Sequence, residues 1–245
     1  MAGERVEEAR ATMIELFPEG FEERDGDGLV ELAAYTDRPD AVALLGRLGA
    51  VAETPVAAGW EDAWRRFHRP VRIGPLWIGP SWEPHPAGAM AIVLDPGRAF
   101  GTGSHPTTRL CLELLLDLEP GGLVDVGCGS GVLAVAAARL GFRPVVALDE
   151  DGTAVEVARA NAAANGVDVE VRLADALADP LPPVGTAVAN IAREPVERIA
   201  ERFEGRLVVA SGYLAGERPA PAGWQALRRL EAEGWAADLL ARPTT

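Results

Sequence analysis

Along residues 3–17, Val6, Ala9, Met13, Leu16 and Phe17 recur at three-to-four spacing, the period of one helix face, and Pro18 and Gly20 end the run. Phe21–Arg24 and Leu29–Tyr35 read as strands on either side of Asp25-Gly26-Asp27-Gly28, a hairpin turn. A second helix is predicted over Asp40–Leu48 and a strand over Ala50–Val56. Residues 1–57 thus form a small αββαβ unit that carries no catalytic constellation, which suits recognition or packing.

Residues 58–94 differ in texture. Trp60 and Trp64 stand four apart on one predicted helix face, placed to pack a connecting helix against a domain. Prolines at 70, 75, 80, 84 and 86 then interrupt short apolar runs at 71–73, 76–78 and 90–94, so the segment reads as a strand-rich linker. From 95 to 245 the period alternates between helix and strand. Helices are predicted at 105–118, 131–140, 152–165, 193–203 and 222–233. Strands are predicted at 122–126, 144–149, 168–173, 185–190, 206–211 and 235–240. Repeated alternation with apolar strands predicts an α/β fold, a parallel sheet covered by helices on both faces.

Within that frame, Val124-Asp125-Val126-Gly127-Cys128-Gly129-Ser130-Gly131 is a strand, a tight turn and a helix start. A second apolar run closes on Asp149, where a carboxylate suits two ribose hydroxyls. The dinucleotide fingerprint is G-x-G-x-x-G, with pyrophosphate on a helix N-terminus. Here the spacing is G-x-G-x-G, and Asp125 beside the loop would repel pyrophosphate. A cationic nucleoside, S-adenosylmethionine, fits an acidic mouth better than a dinucleotide does. Asp175 follows the third strand of this region, able either to accept from an adenine amino group or to cap a helix. Asn190 ends the fourth, placed to hold a nucleophile beside a transferable methyl, though Asn also favours plain strand-end turns. The glycine- and hydroxyl-rich run 95–108, with Phe100, Gly101, Thr107 and Thr108, can fold over a ligand. His105-Pro106 reads as helix initiation, with a catalytic histidine as the sharper alternative.

Charge narrows the partners. The net charge is −14, and all 23 basic residues are arginine. Such a surface disfavours nucleic acid, whose affinity rests on cationic contacts to phosphate, and favours a basic protein or a cationic small molecule. Cys111 and Cys128 have no C-x-x-C or histidine cluster near them, so neither a disulfide nor a metal is expected. With no signal peptide and no apolar run of about eighteen residues, a cytoplasmic, soluble chain is expected.

The run Pro96-Gly97 … Phe100-Gly101-Thr102-Gly103-Ser104-His105-Pro106-Thr107-Thr108, the loop Asp125–Gly131, Asn161 … Asn165-Gly166 and Trp60-x-x-x-Trp64-Arg65 together resemble the bacterial ribosomal-protein methyltransferase family PrmA. The likeness spans about residues 59–215. It implies a class I (Rossmann-like) methyltransferase sheet behind a small N-terminal α/β domain. It also implies methylation by S-adenosylmethionine of lysine or α-amino groups of the eleventh protein of the large ribosomal subunit. The resemblance implies cofactor contacts at Thr108, Gly127, Asp149 and Asn190, with Asn190 closest to the incoming amine and the candidate catalytic residue. Phe100, Gly101, Thr107, Asp125, Gly129, Gly131 and Asp175 join them as candidate cofactor contacts from the loop and strand-end reading.

Three features depart from that pattern. Met1-Ala-Gly leads straight into a helix, so the small domain's first strand is expected to be missing. The chain stops at Thr245, which leaves no room for a last strand after Gly234-Trp235, and an unpaired sheet edge would favour self-association. Asn190-Ile191 continues as Ala-Arg-Glu-Pro where the family runs on with apolar residues. Two readings therefore stand beside the first: a methyltransferase of the same fold with another protein or small-molecule substrate, and a non-catalytic cofactor-binding interaction protein. A dinucleotide oxidoreductase has the wrong loop spacing.

Overall fold

Strands buried at every position need cover on both faces, and Leu123–Val126, Val145–Val146-Ala147-Leu148 and Thr186–Ala189, apolar but for Asp125 and Thr186, are each buried throughout. In a computed structural model of the chain, which describes residues 9, 12–13, 22–26, 29–34, 41–46, 51–52, 69–94 and 103–243, these strands form the middle of a seven-stranded sheet. The chain divides into two compact units, Met1–Asp62 and Ala63–Thr245.

In the first unit, β1 (Glu22–Gly26) and β2 (Leu29–Ala33) pair antiparallel with Gly26 opposite Leu29, so the strand runs on through part of the predicted turn. Helix α1 covers Ala41–Leu45, and Ala41 packs with Met13 against Leu32, Ala34 and Leu45. Ala9, Thr12 and Met13 are helical, as predicted; the rest of that helix lies outside the described residues. Val51 and Ala52 belong to no strand, and the remainder of the strand predicted over Ala50–Val56, Trp60 and Trp64 lie outside the described residues, as does Met1-Ala-Gly.

The second unit opens with a three-stranded sheet of β3 (Val71–Ile73), β4 (Leu76–Gly79) and β5 (Met90–Val93), the runs that the prolines bound; β3 and β4 are antiparallel, β4 and β5 parallel. After it come α2 (Pro106–Leu116), β6 (Leu123–Val126), α3 (Val132–Arg139), β7 (Val145–Asp149), α4 (Gly152–Ala164) and β8 (Glu170–Leu173). The chain then returns through β9 (Thr186–Asn190), α5 (Arg193–Arg202), β10 (Leu207–Leu214), β11 (Gln225–Ala232) and β12 (Trp235–Ala241). The strand order is β11-β12-β10-β9-β6-β7-β8, with β8, β7, β6, β9 and β10 parallel and β12 antiparallel to both its neighbours. The chain builds outward from β6 on one side through β7 and β8, then on the other through β9 and β10. That reversal leaves a crevice at the carboxyl ends of β6 and β9, where open α/β sheets bind ligands.

Alternation divides the core. Leu123, Ala147, Val188 and Val209 pack under α2, α3 and α4, together with β3–β5. Val124, Val126, Leu148, Ala187 and Ala189 face α5 on the opposite side. No helix among the described residues is long and apolar enough to cross a membrane.

In the second unit one predicted element is wrong. Residues 222–233 are not a helix: Gln225–Ala232 is strand β11, paired to β12 through a turn at Glu233-Gly234. Both turn residues have positive φ, 52° and 82°, as a two-residue hairpin of right-handed twist requires. The register shifts between Ala226 and Arg228, so Leu227 is an extra bulged residue. That bulge breaks strict alternation, and apolar residues at 226, 227, 230 and 232 then mimic a helical period. Strand β11 is then one edge of the sheet, with β12 between it and β10.

Candidate active site

The glycine loop leaves β6 and is pinned to the neighbouring strand: Gly127 N and Cys128 N both donate to Leu148 O, at 2.9 and 3.0 Å. Gly127 has φ +66°, and a Cβ there would lie 2.6 Å from Ile191 Cγ2. Its missing side chain therefore lets the loop close against the end of β9 as well as leaving the backbone open above. Gly129 and Gly131 also have positive φ, and Gly131 is the N-cap of α3.

Two aspartates flank this loop, one bonded to it and one to the helix that follows. Asp149, at the end of β7, accepts from Gly129 N (2.8 Å) through Oδ2 and from Asp151 N (3.0 Å) through Oδ1. Its carboxylate is half-buried at the crevice, oriented by two backbone donors, and can still accept from further donors. Asp125 lies beneath the loop at 1 % exposure, where Oδ2 accepts from Ala134 N at 2.9 Å and Oδ1 has no hydrogen-bond partner. Burial, with a smaller contribution from the charge of Asp149, pushes its carboxyl up to about 7, against the pull of the Ala134 N–H. Burial likewise pushes the thiols of Cys111 and Cys128 well above the ordinary range, so neither is poised as a thiolate nucleophile.

On the other side of β6, Asn190 ends β9 and its Nδ2 donates to Thr108 Oγ1 at 3.3 Å. Thr107 and Thr108 are buried in the first turn of α2. His105 is the N-cap of that helix, accepting from Thr107 N and bonded through Nδ1 to Thr107 Oγ1 at 2.7 Å, and Pro106 follows it. The helix-initiation reading of His105-Pro106 is thus what the geometry shows. Asp175 is exposed and turns the chain, its Oδ1 accepting from Leu177 N (2.8 Å); no helix follows it. Phe100 and Gly101 lie outside the described residues.

Beside Asn190 opens a cavity of about 310 Å³ lined by His105, Thr107, Ile191, Ala192, Gly212 and Trp235. No carboxylate, guanidinium or ammonium is among these residues. The His105 and Trp235 rings meet edge to face, with centroids 5.0 Å apart. Gly212 (φ +101°) forms a bulge in β10, and any Cβ there would collide with the Ile191 backbone. Sequence reasoning picked out His105 and Thr107 but missed Ile191, Ala192, Gly212 and Trp235. Trp235 reads only as the first residue of a strand, and nothing in Ser211-Gly212-Tyr213 announces a cavity wall, although a glycine inside a strand pattern is a recognised mark of a bulge.

Comparison with known proteins adds the family. The model described as Ribosomal protein L11 methyltransferase (PrmA) matches residues 29–216. The ribosomal protein L11 methyltransferase of Shewanella pealeana is 46 % identical over 168 residues, covering 63 % of this chain and 56 % of that relative. The protein of the same description from Symbiobacterium thermophilum is 40 % identical over 202 residues, covering 75 % and 66 %. The chain thus spans a little over half to two thirds of the length of these relatives. Among solved structures, the ribosomal protein L11 methylase of Lactobacillus delbrueckii subsp. bulgaricus superposes with a TM-score of 0.65 at 30 % identity, over 72 % of this chain and all of that one. The sheet order found here is therefore that of a class I methyltransferase fold.

Proposed function

The chain belongs to the ribosomal protein L11 methyltransferase (PrmA) family, and from that premise we propose that it methylates amino groups of a basic protein, a large-subunit ribosomal protein, with S-adenosylmethionine. The observation that carries this reading is the placement of Asn190 between the glycine loop and an uncharged cavity at the sheet's reversal point. The residues present fit the cofactor: a half-buried carboxylate held by two backbone donors suits a ribose diol, and the positive-φ glycines leave open backbone above β6.

S-adenosylmethionine supplies a methyl group on a sulfonium, already activated toward a neutral amine. What remains for the protein is alignment, which can supply about 7–11 kcal/mol in well-oriented systems. We assign Asp149 to the ribose hydroxyls. Asp125 is assigned to the first turn of α3 rather than to the ligand, because its carboxyl accepts from Ala134 N. The Nδ2–Thr108 bond orients the Asn190 amide so that Oδ1 is left to accept from an incoming amine. A lysine at neutral pH is almost wholly protonated. The described lining offers no carboxylate to hold the charged form, and the net charge of −14 favours approach of a basic protein.

The test is transfer of isotope-labelled methyl from S-adenosylmethionine to unmethylated ribosomal protein L11 and to whole-cell extract, read by mass spectrometry. Label on lysines or the α-amine of the ribosomal protein supports the proposal. Label only on other proteins or on small molecules keeps the chemistry and replaces the substrate. No label with S-adenosylhomocysteine still bound turns the reading into one of a non-catalytic binding protein. Asn190→Ala should lower kcat by about a hundredfold, the order of loss from misplaced reactants, while S-adenosylhomocysteine affinity changes by less than about threefold. Unchanged turnover would sink the role given to Asn190.

A further inference from the structure

Asn161 and Asn165 stand one helical turn apart at the end of α4 and face two different elements. Asn161 Nδ2 donates to Ser130 O in the glycine loop at 2.8 Å. Asn165 makes a two-way bond with a single residue: its Oδ1 accepts from Val93 N and its Nδ2 donates to Val93 O, each at 2.8 Å. A side-chain amide presents donor and acceptor side by side, as a backbone residue does, so Asn165 closes on Val93 much as a neighbouring strand would. The second Nδ2 hydrogen goes to Asn161 O (2.8 Å), and the Asn165 carbonyl accepts from Arg139 Nη2 (2.7 Å) at the end of α3. Asn165 is 5 % exposed and its amide is fully engaged. Val93 is the last residue of β5, and the next residue, Leu94, is itself fixed by its N–H to Gly79 O.

We propose that Asn161 and Asn165 are positioning residues for the cofactor site, holding the glycine loop and the end of β5 at one fixed spacing from the same helix. This rests on the cofactor reading given above. The amide type is required. Asp at 165 keeps acceptance from Val93 N but sets an anionic oxygen against Val93 O, and Gln overshoots by one methylene. Ala at 161 removes the bond to Ser130 O, one residue from the Gly129 N–H that Asp149 accepts.

The experiment is calorimetric titration of the full chain with S-adenosylhomocysteine for wild type, Asn161→Ala and Asn165→Asp, with thermal melting of each unliganded protein. Leu230→Ala, in the distant hairpin, serves as a control that lowers stability without touching either bond. The expected result is a Kd raised about tenfold in both asparagine variants. Leu230→Ala should melt lower and leave Kd within about twofold. In methyl transfer the same variants should raise KM for the cofactor about tenfold, with kcat restored to within about twofold at saturation. Lower melting temperatures with Kd unchanged would overturn the proposal and make the pair a purely structural tie. If Asn165→Asp does not fold, Asn161→Ala, which loses only the Ser130 bond, decides alone. A wild type that binds no S-adenosylhomocysteine overturns the cofactor reading, and this proposal with it. A wild type that binds, with variants that bind equally, overturns this proposal alone.

Discussion

Each half of the large sheet buries one aspartate, and the two are treated differently. Asp238, on β12 in the antiparallel half, is 2 % exposed and accepts from Tyr213 Oη (2.8 Å) and Arg229 Nη1 (2.6 Å). Arg229 goes on to donate to Ala215 O and Glu217 O, so one guanidinium neutralises the carboxylate and ties down the loop after β10. Asp125, on β6 in the parallel half, is as deeply buried, has one backbone donor on Oδ2 and no hydrogen-bond partner on Oδ1. Burying a carboxylate is costly unless it is paired. The antiparallel half meets that cost with a guanidinium and a phenol. The parallel half leaves it largely unmet, directly below the loop proposed to receive a cationic ligand. A charge group that serves only the fold is fully satisfied, whereas the unsatisfied one lies at the candidate site.

The largest expected effect tests the satisfied aspartate. Asp238→Ala leaves Arg229 and the Tyr213 hydroxyl without their common partner and should cost about 3–5 kcal/mol in urea unfolding, with S-adenosylhomocysteine affinity unaltered once folded. A loss below about 1 kcal/mol would mean that the two groups find water instead.

Asp125 is tested by pH. Its folded pKa of about 7 exceeds the ordinary 3.8, so between those values the native state binds more protons than the unfolded chain. Stability should therefore fall as pH rises from about 4 to about 7 and level off above, by at most on the order of 4 kcal/mol from this group. Asp125→Asn removes the proton and should flatten that slope. Unfolding free energies of both proteins across the window give the difference directly. Parallel curves would show that Asp125 is ionised in the folded protein throughout.

The same division governs how much could be read from the sequence. Strands β6, β7 and β9 are buried on both faces, so each is apolar apart from Asp125 and Thr186, and a glycine, an aspartate or an asparagine at its end stands out. Their positions, and the gathering of Asp149, Gly127 and Asn190 at one crevice, follow from that. Strand β11 is an edge, exposed along its first four residues and bulged at Leu227, and its residues lack the period of two. The cavity wall was illegible for a related reason. Gly212 reaches Asn190 through the parallel pairing of β10 with β9, and Trp235 through the antiparallel pairing of β12 with β10, both contacts between residues distant in sequence. The burial of Asp125 was likewise hidden, since the sequence gives its proximity to the loop but not which side of the loop it occupies.

Asp149→Ala probes the parallel half at its surface. Removing a carboxylate that receives charge-assisted hydrogen bonds should weaken S-adenosylhomocysteine binding by about 10- to 100-fold. The fall in stability should be smaller than for Asp238→Ala, because the freed Gly129 and Asp151 N–H groups lie near solvent. An unchanged Kd would remove Asp149 from the site.

The smallest effect is expected at the residue that disguised β11. Leu227 is the bulged extra residue, 57 % exposed, and it opposes no partner on β12. Its side chain gains little from folding, and threonine suits an extended backbone at least as well. Leu227→Thr should therefore lie within about 0.5 kcal/mol of the parent. Three residues on, Leu230 packs against the core shared with α2, so Leu230→Thr should cost roughly 1–2 kcal/mol through lost apolar burial. Urea unfolding of the pair separates a bulge from a packed position. If Leu227→Thr costs as much as Leu230→Thr, and the cost grows with protein concentration, the exposed edge of β11 is covered in solution by a second copy. The self-association first expected from a missing strand would then have a real strand as its cause. A small, concentration-independent change leaves β11 a plain solvent-facing edge.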